Sequence, residues 1–532
     1  MNFRVAHGAA AIAAAILVTS CGGGDDSSPT PPPPPPPPPS GITGVTLSAT
    51  SVDVVVREGA PATFGFDATY TGSSADPVVA DIVVDARRYR LKGAPTASGQ
   101  TFTVDFETIP FPVAGRSNTD VTFRLCKTSA CTSVYPNTTK TFTVDLDVRL
   151  DAWGNYQRNA AHTGYVPVAY DTADFVSAWN VPADTSFTDR DNITAVVADR
   201  DQVFANFRQP TGRLATRAFA SGSGARNWAV DLGSTTYFSA PSYANGRVLS
   251  VFMEDSSTNL PLPILDADSG SPLGTIFYAS QYARPGAATM IEDQAFIQSG
   301  YFGNVLYGYD LRRAVKQWEI NPLPPSTISV LEGQSLAADD NYVYFYAFSN
   351  LFVHSRSTGA VVKTIADPSF TRGAGLYQAF FGAPVLDGKG GIYSFSGSRF
   401  DQDPAPFIAF DFANGNIRWR TTAKYINAPA LKDGKLYLPR AGSRIVDVLD
   451  TATGKVLNSI DVGEGVADLT SNVIATESHL FVGNGSKTFA IDLKESGNPV
   501  VWQTDRGGSL ALSPNNMLLI SARTGIYAYK LY

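Results

Sequence analysis

Residues Ala409–Thr421 read AFDFANGNIRWRT: an apolar strand end, an aspartate, a glycine four positions on, and a tryptophan four positions after that. Each residue type answers a local need. The aspartate side chain can accept backbone N–H groups of a tight turn, glycine takes positive φ without a Cβ clash, and tryptophan supplies a large face for packing. The stretch recurs as Ala218–Val230 (AFASGSGARNWAV), Ile264–Ile276 (ILDADSGSPLGTI), Gly308–Ile320 (GYDLRRAVKQWEI), His354–Ile365 (HSRSTGAVVKTI), Val448–Ile460 (VLDTATGKVLNSI) and Ala490–Thr504 (AIDLKESGNPVVWQT).

The turn positions 224, 270, 314, 359, 415, 454 and 497 are separated by 46, 44, 45, 56, 39 and 43 residues. A period near 45 with four short strands per unit is the signature of a β-propeller. The 56-residue step holds an insertion around Phe400-Asp-Gln-Asp-Pro404, expected as a longer loop. Gly508–Tyr532 supplies three strands of a further unit and stops. Phe175-Val-Ser-Ala-Trp179-Asn-Val, at the start of the region, supplies the missing outer strand. Pairing the two ends removes the open edge. The expectation is therefore an all-β chain ending in an eight-bladed propeller over 151–532, with seven blades as the fallback.

Composition agrees. Of 532 residues, 44 % are hydrophobic and 17 % charged, below the roughly 25 % charge of a typical soluble domain. A net charge of −7 argues against a nucleic-acid groove. Residues 42–150 carry seven short alternating segments: Val45–Thr50, Val52–Val56, Ala62–Tyr70, Val78–Val84, Gln100–Phe106, Val121–Leu125 and Lys140–Val148. That count and spacing predict an immunoglobulin-like sandwich. Cys126 and Cys131 sit five residues apart between two of these strands. In an oxidising compartment they are expected to form a disulfide, since a redox pair would need only two intervening residues.

The N-terminus is an address and a tether. Arg4 precedes ten apolar residues, Ala9–Val18, and Val18-Thr19-Ser20-Cys21 closes the run. Ten residues are too few to span a membrane. The pattern resembles a bacterial lipoprotein signal over residues 1–20, with Cys21 as the lipidated residue. Gly22 at the next position resembles lipoproteins sent to the outer membrane of a Gram-negative cell. Residues 21–41 form a tether with nine consecutive prolines, Pro31–Pro39, a polyproline II spacer of roughly 28 Å.

From Trp153 onward the repeat resembles the pyrroloquinoline-quinone (PQQ) type propeller repeat, and Trp153-Gly-Asn-Tyr-Gln-Arg-Asn-Ala-Ala-His162-Thr-Gly-Tyr resembles that superfamily's lead-in. The resemblance implies a structural role between blades for Trp179, Trp228, Trp318, Trp419 and Trp502; Lys363 and Asn458 replace tryptophan in two copies, where contacts should be weaker. Within the superfamily, the lipobox and compact repeats resemble the BamB family of propeller lipoproteins of the outer-membrane β-barrel assembly machinery. This implies a non-enzymatic scaffold without cofactor, anchored in the membrane by an N-terminal lipid and binding envelope proteins. The sandwich and proline spacer depart from that pattern. The alternative is a quinoprotein dehydrogenase using PQQ and calcium; a third reading is a surface adhesin or glycan-binding module.

Other chemistry finds little material. His162, His354 and His479 lie in separate segments without ligand spacing, so a surface or turn role is expected for each. Asp266-Ala-Asp268-Ser-Gly270 lacks the later glutamate of a calcium loop and falls on the repeat's own turn. Gly390-Gly391 joins strands, with no helix following to cradle phosphate. No catalytic or metal residue is assigned.

Overall fold

The computed structural model describes residues 41–183, 193–254, 259–322, 330–369, 377–379, 383–396, 404–464, 466 and 468–532. Cys21, the signal segment, most of the proline tether and the insertion at 400–403 lie outside them.

Alternation builds the first unit. In Thr101–Thr108, Phe102, Val104 and Phe106 are buried while Thr103 and Asp105 face solvent, the period-2 pattern of a half-buried strand. The nine strands are β1 (Gly41–Leu47), β2 (Ser51–Arg57), β3 (Thr63–Ser73), β4 (Val79–Val83), β5 (Tyr89–Leu91), β6 (Thr96–Ser98), β7 (Thr101–Thr108), β8 (Gly115–Cys126) and β9 (Lys140–Arg149). One sheet runs β1-β3-β7-β5 with β6 also on β7, and the other runs β2-β9-β8-β4. They share a core rich in rings, among them Phe66, Phe106, Phe123 and Phe142. The first strand changes sheets midway: β1 pairs with β3, whereas β2 continues in the other sheet, parallel to β9. β5 and β6 add to the seven strands expected; at three residues each they are too short to display a period. Cys126, the last residue of β8, is disulfide-bonded to Cys131 in the loop that follows.

Eight four-stranded antiparallel sheets follow, spanning 197–234, 237–278, 289–320, 337–366, 385–425, 430–461, 474–504 and 509–530. They are numbered 1 to 8 in that order. Sheets 1 to 7 use their strands in chain order. Sheet 8 has only three of its own, and Val176–Pro182 completes it by pairing antiparallel with Gly525–Lys530. Second and third strands are the most buried; every residue of Gln202–Arg208 is buried. Fourth strands such as Val361–Ala366 are mostly exposed. The difference follows from sheet-on-sheet packing, which covers central strands on both faces and leaves outer strands wet on one.

Candidate functional site

The repeated turn places its residues identically around the ring. Gly224, Gly270, Ala314, Gly359, Gly415, Gly454 and Gly497 all have positive φ, from 53° to 86°. Asp266, Asp411 and Asp450 each accept the backbone N–H three residues on, at 2.7–3.0 Å. Asp266 and Asp450 are held below the usual carboxylate range chiefly by the hydroxyls of Ser269 and Thr453. These donors are the turn's own, so Asp266 serves the turn.

The tryptophans lock successive sheets together. Trp179 of sheet 8 lies on Gly224 of sheet 1 and donates its Nε1–H to Ser221 O at 2.9 Å. Trp228 lies on Gly270 and donates to Ala267 O at 2.8 Å. Trp318 lies on Gly359 and donates to Arg356 O at 3.0 Å; Trp419 lies on Gly454 and donates to Thr451 O at 2.8 Å. In every case the acceptor is three residues before the glycine. Lys363 keeps the same connection, its Nζ donating to Phe412 O and Ala413 O, and Asn458 donates to the side chain of Asn498. Trp502 packs edge-on against Phe175 and Tyr529 of the last sheet's surroundings. A third copy also lacks tryptophan: Gly274 stands there, and its partner turn carries Ala314 in place of glycine.

The axis is occupied by the chain itself. Trp153 exchanges backbone hydrogen bonds with Ala198 of sheet 1 at 2.8–2.9 Å. Gly154 O accepts from Tyr243 N of sheet 2, and the Asn155 side chain exchanges two bonds with Met290 of sheet 3. Ala160 O, Ala161 O, Thr163 O and Gly164 O then accept from Ala338, Leu386, Leu431 and Ala475 of sheets 4 to 7. Asn472 links Gln157 to Leu510 O of sheet 8. Residues 153–164 thus circle the axis and satisfy the inner-edge groups of the first strands, which would otherwise be buried without partners. Positive φ at Gln157, Arg158, His162 and Gly164 lets the segment curl.

Beside this plug lies a cavity of about 890 Å³, lined in part by Asp151, Arg158, Asp199, Tyr243, Asp339 and Phe412. Its guanidiniums are committed to the sandwich: Arg158 to Glu58 and Arg200 to Asp147. Asn516 and Ala114 exchange two further bonds across the same junction. Three aspartates at or next to the cavity, Asp199, Asp339 and Asp387, build turns. Asp199 accepts from Asp201 N and Gln202 N, and burial raises its pKa. Asp339 accepts from Asn341 N, Tyr342 N and the Tyr344 hydroxyl. Asp387 accepts from Lys389 N, Gly391 N and the Tyr393 hydroxyl, which places Gly390-Gly391 in a strand-joining turn.

His162, His354 and His479 are not at the surface. His162 and His354 are fully buried and His479 nearly so. Their ring Nδ1 atoms meet Pro384 O, Gly359 O and Ser478 Oγ, respectively. Sequence spacing showed they were not paired, but their depth depends on strands far along the chain. Among the described residues, the one group of three potential metal ligands within reach of one another is Asp81, Cys126 and Cys131, whose thiols are already joined.

The fold is that of a β-propeller, and its repeat is similar to that of the PQQ-like propellers that include BamB. Residues 210–459, slightly under half of the chain, match the sequence family described as outer membrane protein assembly factor BamB. The structure of BamB from Moraxella catarrhalis superposes with a TM-score of 0.50 at 14 % identity, covering 67 % of this chain and 99 % of that one. Looser superpositions, with TM-scores of 0.38 and 0.35, are found with U3-55K (10 % identity, 68 % of this chain and 100 % of that one) and a quinohemoprotein alcohol dehydrogenase of Pseudomonas putida HK5 (11 %, 72 % and 80 %). These two carry no functional argument. No curated protein sequence matches the chain.

Proposed function

We propose that this chain is a non-enzymatic propeller lipoprotein, anchored through Cys21 in the outer membrane of a Gram-negative bacterium, that serves as a protein-binding scaffold in outer-membrane protein assembly. The observation that carries this reading is the family match across the repeat sheets. The eight sheets are read as blades, residues 42–150 as an immunoglobulin-like module, and 21–41 as its spacer.

The geometry of the sandwich supports a spacer role. Gly41, where the tether enters, pairs with Ser73 near the Cys126–Cys131 end. The opposite end carries Glu58 and Arg149 and meets the propeller through Arg158. The module's length therefore adds to that of the prolines between anchor and propeller.

The alternative cofactor fits poorly. PQQ is a tricarboxylate and needs cations and a divalent-metal ligand set. At the axis, the two arginines bordering the cavity are paired with Glu58 and Asp147, Asp199 and Asp339 accept from their own turns, and residues 153–164 line the inner edges of the first strands. Incubation with PQQ and calcium should leave the protein without stoichiometric quinone absorbance. Replacing Cys21 by Ser should move the folded protein from the membrane to the soluble fraction; unchanged outer-membrane fractionation would refute the anchor.

A further inference from the structure

The cavity beside residues 153–164 takes its walls from sheets 1 to 5 and from the linker Leu150–Ala152. Its volume of about 890 Å³ lies within the range of small-ligand sites. The charge of its lining is one-sided. Asp151, Asp199, Asp339 and Asp340 make no ion pair among the described residues, and no lysine lines the cavity. Both of its arginines, Arg158 and Arg200, are already held by carboxylates of the sandwich, and Glu292 is paired with Arg356.

The four carboxylates are reachable at two depths. Asp151 and Asp340 are exposed, so the cavity is open to solvent on their side. Asp199 and Asp339 are half-buried in the wall. Burial raises the pKa of Asp199, a cost that a cation beside it would offset. The acidic groups are also spread apart. Among the described residues, no three potential metal ligands of this wall come within 4.8 Å of one another. A single metal ion needs three or more convergent ligands, whereas separated charges suit a ligand with several positive groups at intervals. Tyr342, whose N–H donates to Asp339, adds an aromatic wall with Phe412, their ring centroids 5.1 Å apart. Aromatic faces attract the same ammonium and guanidinium groups.

We propose that this cavity binds an extended organic polycation, one that carries ammonium or guanidinium groups along a flexible chain. A polyamine and a lysine- or arginine-rich polypeptide segment share that chemistry. An anionic ligand fits less well, because both arginines of the lining are engaged by Glu58 and Asp147. The proposal is independent of the scaffold reading.

The test is isothermal titration of the purified full chain, at low salt, with spermine and with tetra-arginine. Saturable one-to-one binding of at least one is expected, and the tighter of the two names the source. Asp151→Asn combined with Asp340→Asn should weaken it about tenfold, the scale of two exposed ion pairs. Neither side chain makes a hydrogen bond among the described residues, so the fold should tolerate the change. Asp53→Asn combined with Asp145→Asn removes the same charge from an exposed strand pair of the sandwich and should stay within about twofold. The proposal is overturned if neither ligand binds the wild-type chain, or if both double variants weaken binding equally. Saturable binding of calcium alone that the Asp151 and Asp340 variant loses would also overturn it, by making this a metal site. Should that variant fail to fold, amide exchange of the wild-type chain decides: the bound polycation should protect residues 339–342, and unchanged exchange there overturns the proposal.

Discussion

Trp419 lies flat against Gly454 of the following sheet: a Cβ on that glycine would stand 2.5 Å from the indole, whose Nε1–H is bonded to Thr451 O. The same position in the preceding junction is looser, since a Cβ on Gly415 would stand 3.7 Å from Lys363 Nζ. Both glycines have φ near +69°, so both substitutions to alanine incur the left-handed penalty. Only Gly454→Ala must also displace a ring. Gly415→Ala should cost about 1 kcal/mol and Gly454→Ala about 3 kcal/mol, read from urea midpoints. Equal costs would show that the indole does not depend on the bare backbone.

Gly274 and Ala314 form the complementary exchange. A Cβ on Gly274 would stand 2.6 Å from the Ala314 methyl, so Gly274→Ala should destabilise by about 1–3 kcal/mol. Ala314→Gly removes the obstructing methyl and suits the positive φ at that site. The double variant should therefore recover at least half the loss, a coupling that a double-mutant cycle measures directly. Additive effects would mean the two positions do not share their space.

The sandwich junction rests on a buried charge pair. Glu58→Ala leaves Arg158, whose side chain is 5 % exposed, without its carboxylate. Stranding a buried charge costs about 3–5 kcal/mol. Glu58→Ala should open the junction, seen as faster proteolysis between Leu150 and Trp153. Pairing Glu58→Leu with Arg158→Met should open it less, because no charge is then left buried.

Burial gives the protein a pH dependence. Desolvation lowers the pKa of His162 to about 4, with Pro384 O opposing only in part; His354 and His479 are lowered too. The unfolded chain then binds more protons than the folded one between about pH 4 and 6.5. Stability is fully present above pH 6.5 and is lost as pH falls through that window, by about 3 kcal/mol for His162 alone. His162→Asn, which tolerates the residue's φ of +58°, should flatten the dependence of the urea midpoint on pH by about one proton. An unchanged slope would place His162 outside the titrating core.

What the sequence displays is what local backbone chemistry demands. The Asp–Gly turns are legible because positive φ and the waiting N–H groups need those residue types on the spot. The strand borrowed at Trp179 is legible because the C-terminal unit lacks a fourth strand of its own. Gly274 escapes notice because a small residue in a tryptophan position looks like simple loss until Ala314 is seen facing it. The course of residues 153–164 is likewise hidden: it is set by hydrogen bonds to seven first strands, the farthest of them 311 residues on, from Gly164 to Ala475. Nor do Asp151, Asp199 and Asp340 stand out among 48 acidic residues; only the closing of the ring brings them to one cavity.

The scaffold reading is tested most directly by crosslinking intact cells, capturing the full chain through a C-terminal tag, and quantifying envelope proteins against an untagged control. The expected result is enrichment of outer-membrane β-barrel assembly components, lost when Cys21 is replaced by Ser. Recovery of the chain without any such component, from cells in which it is fully membrane-bound, would contradict a role in outer-membrane protein assembly.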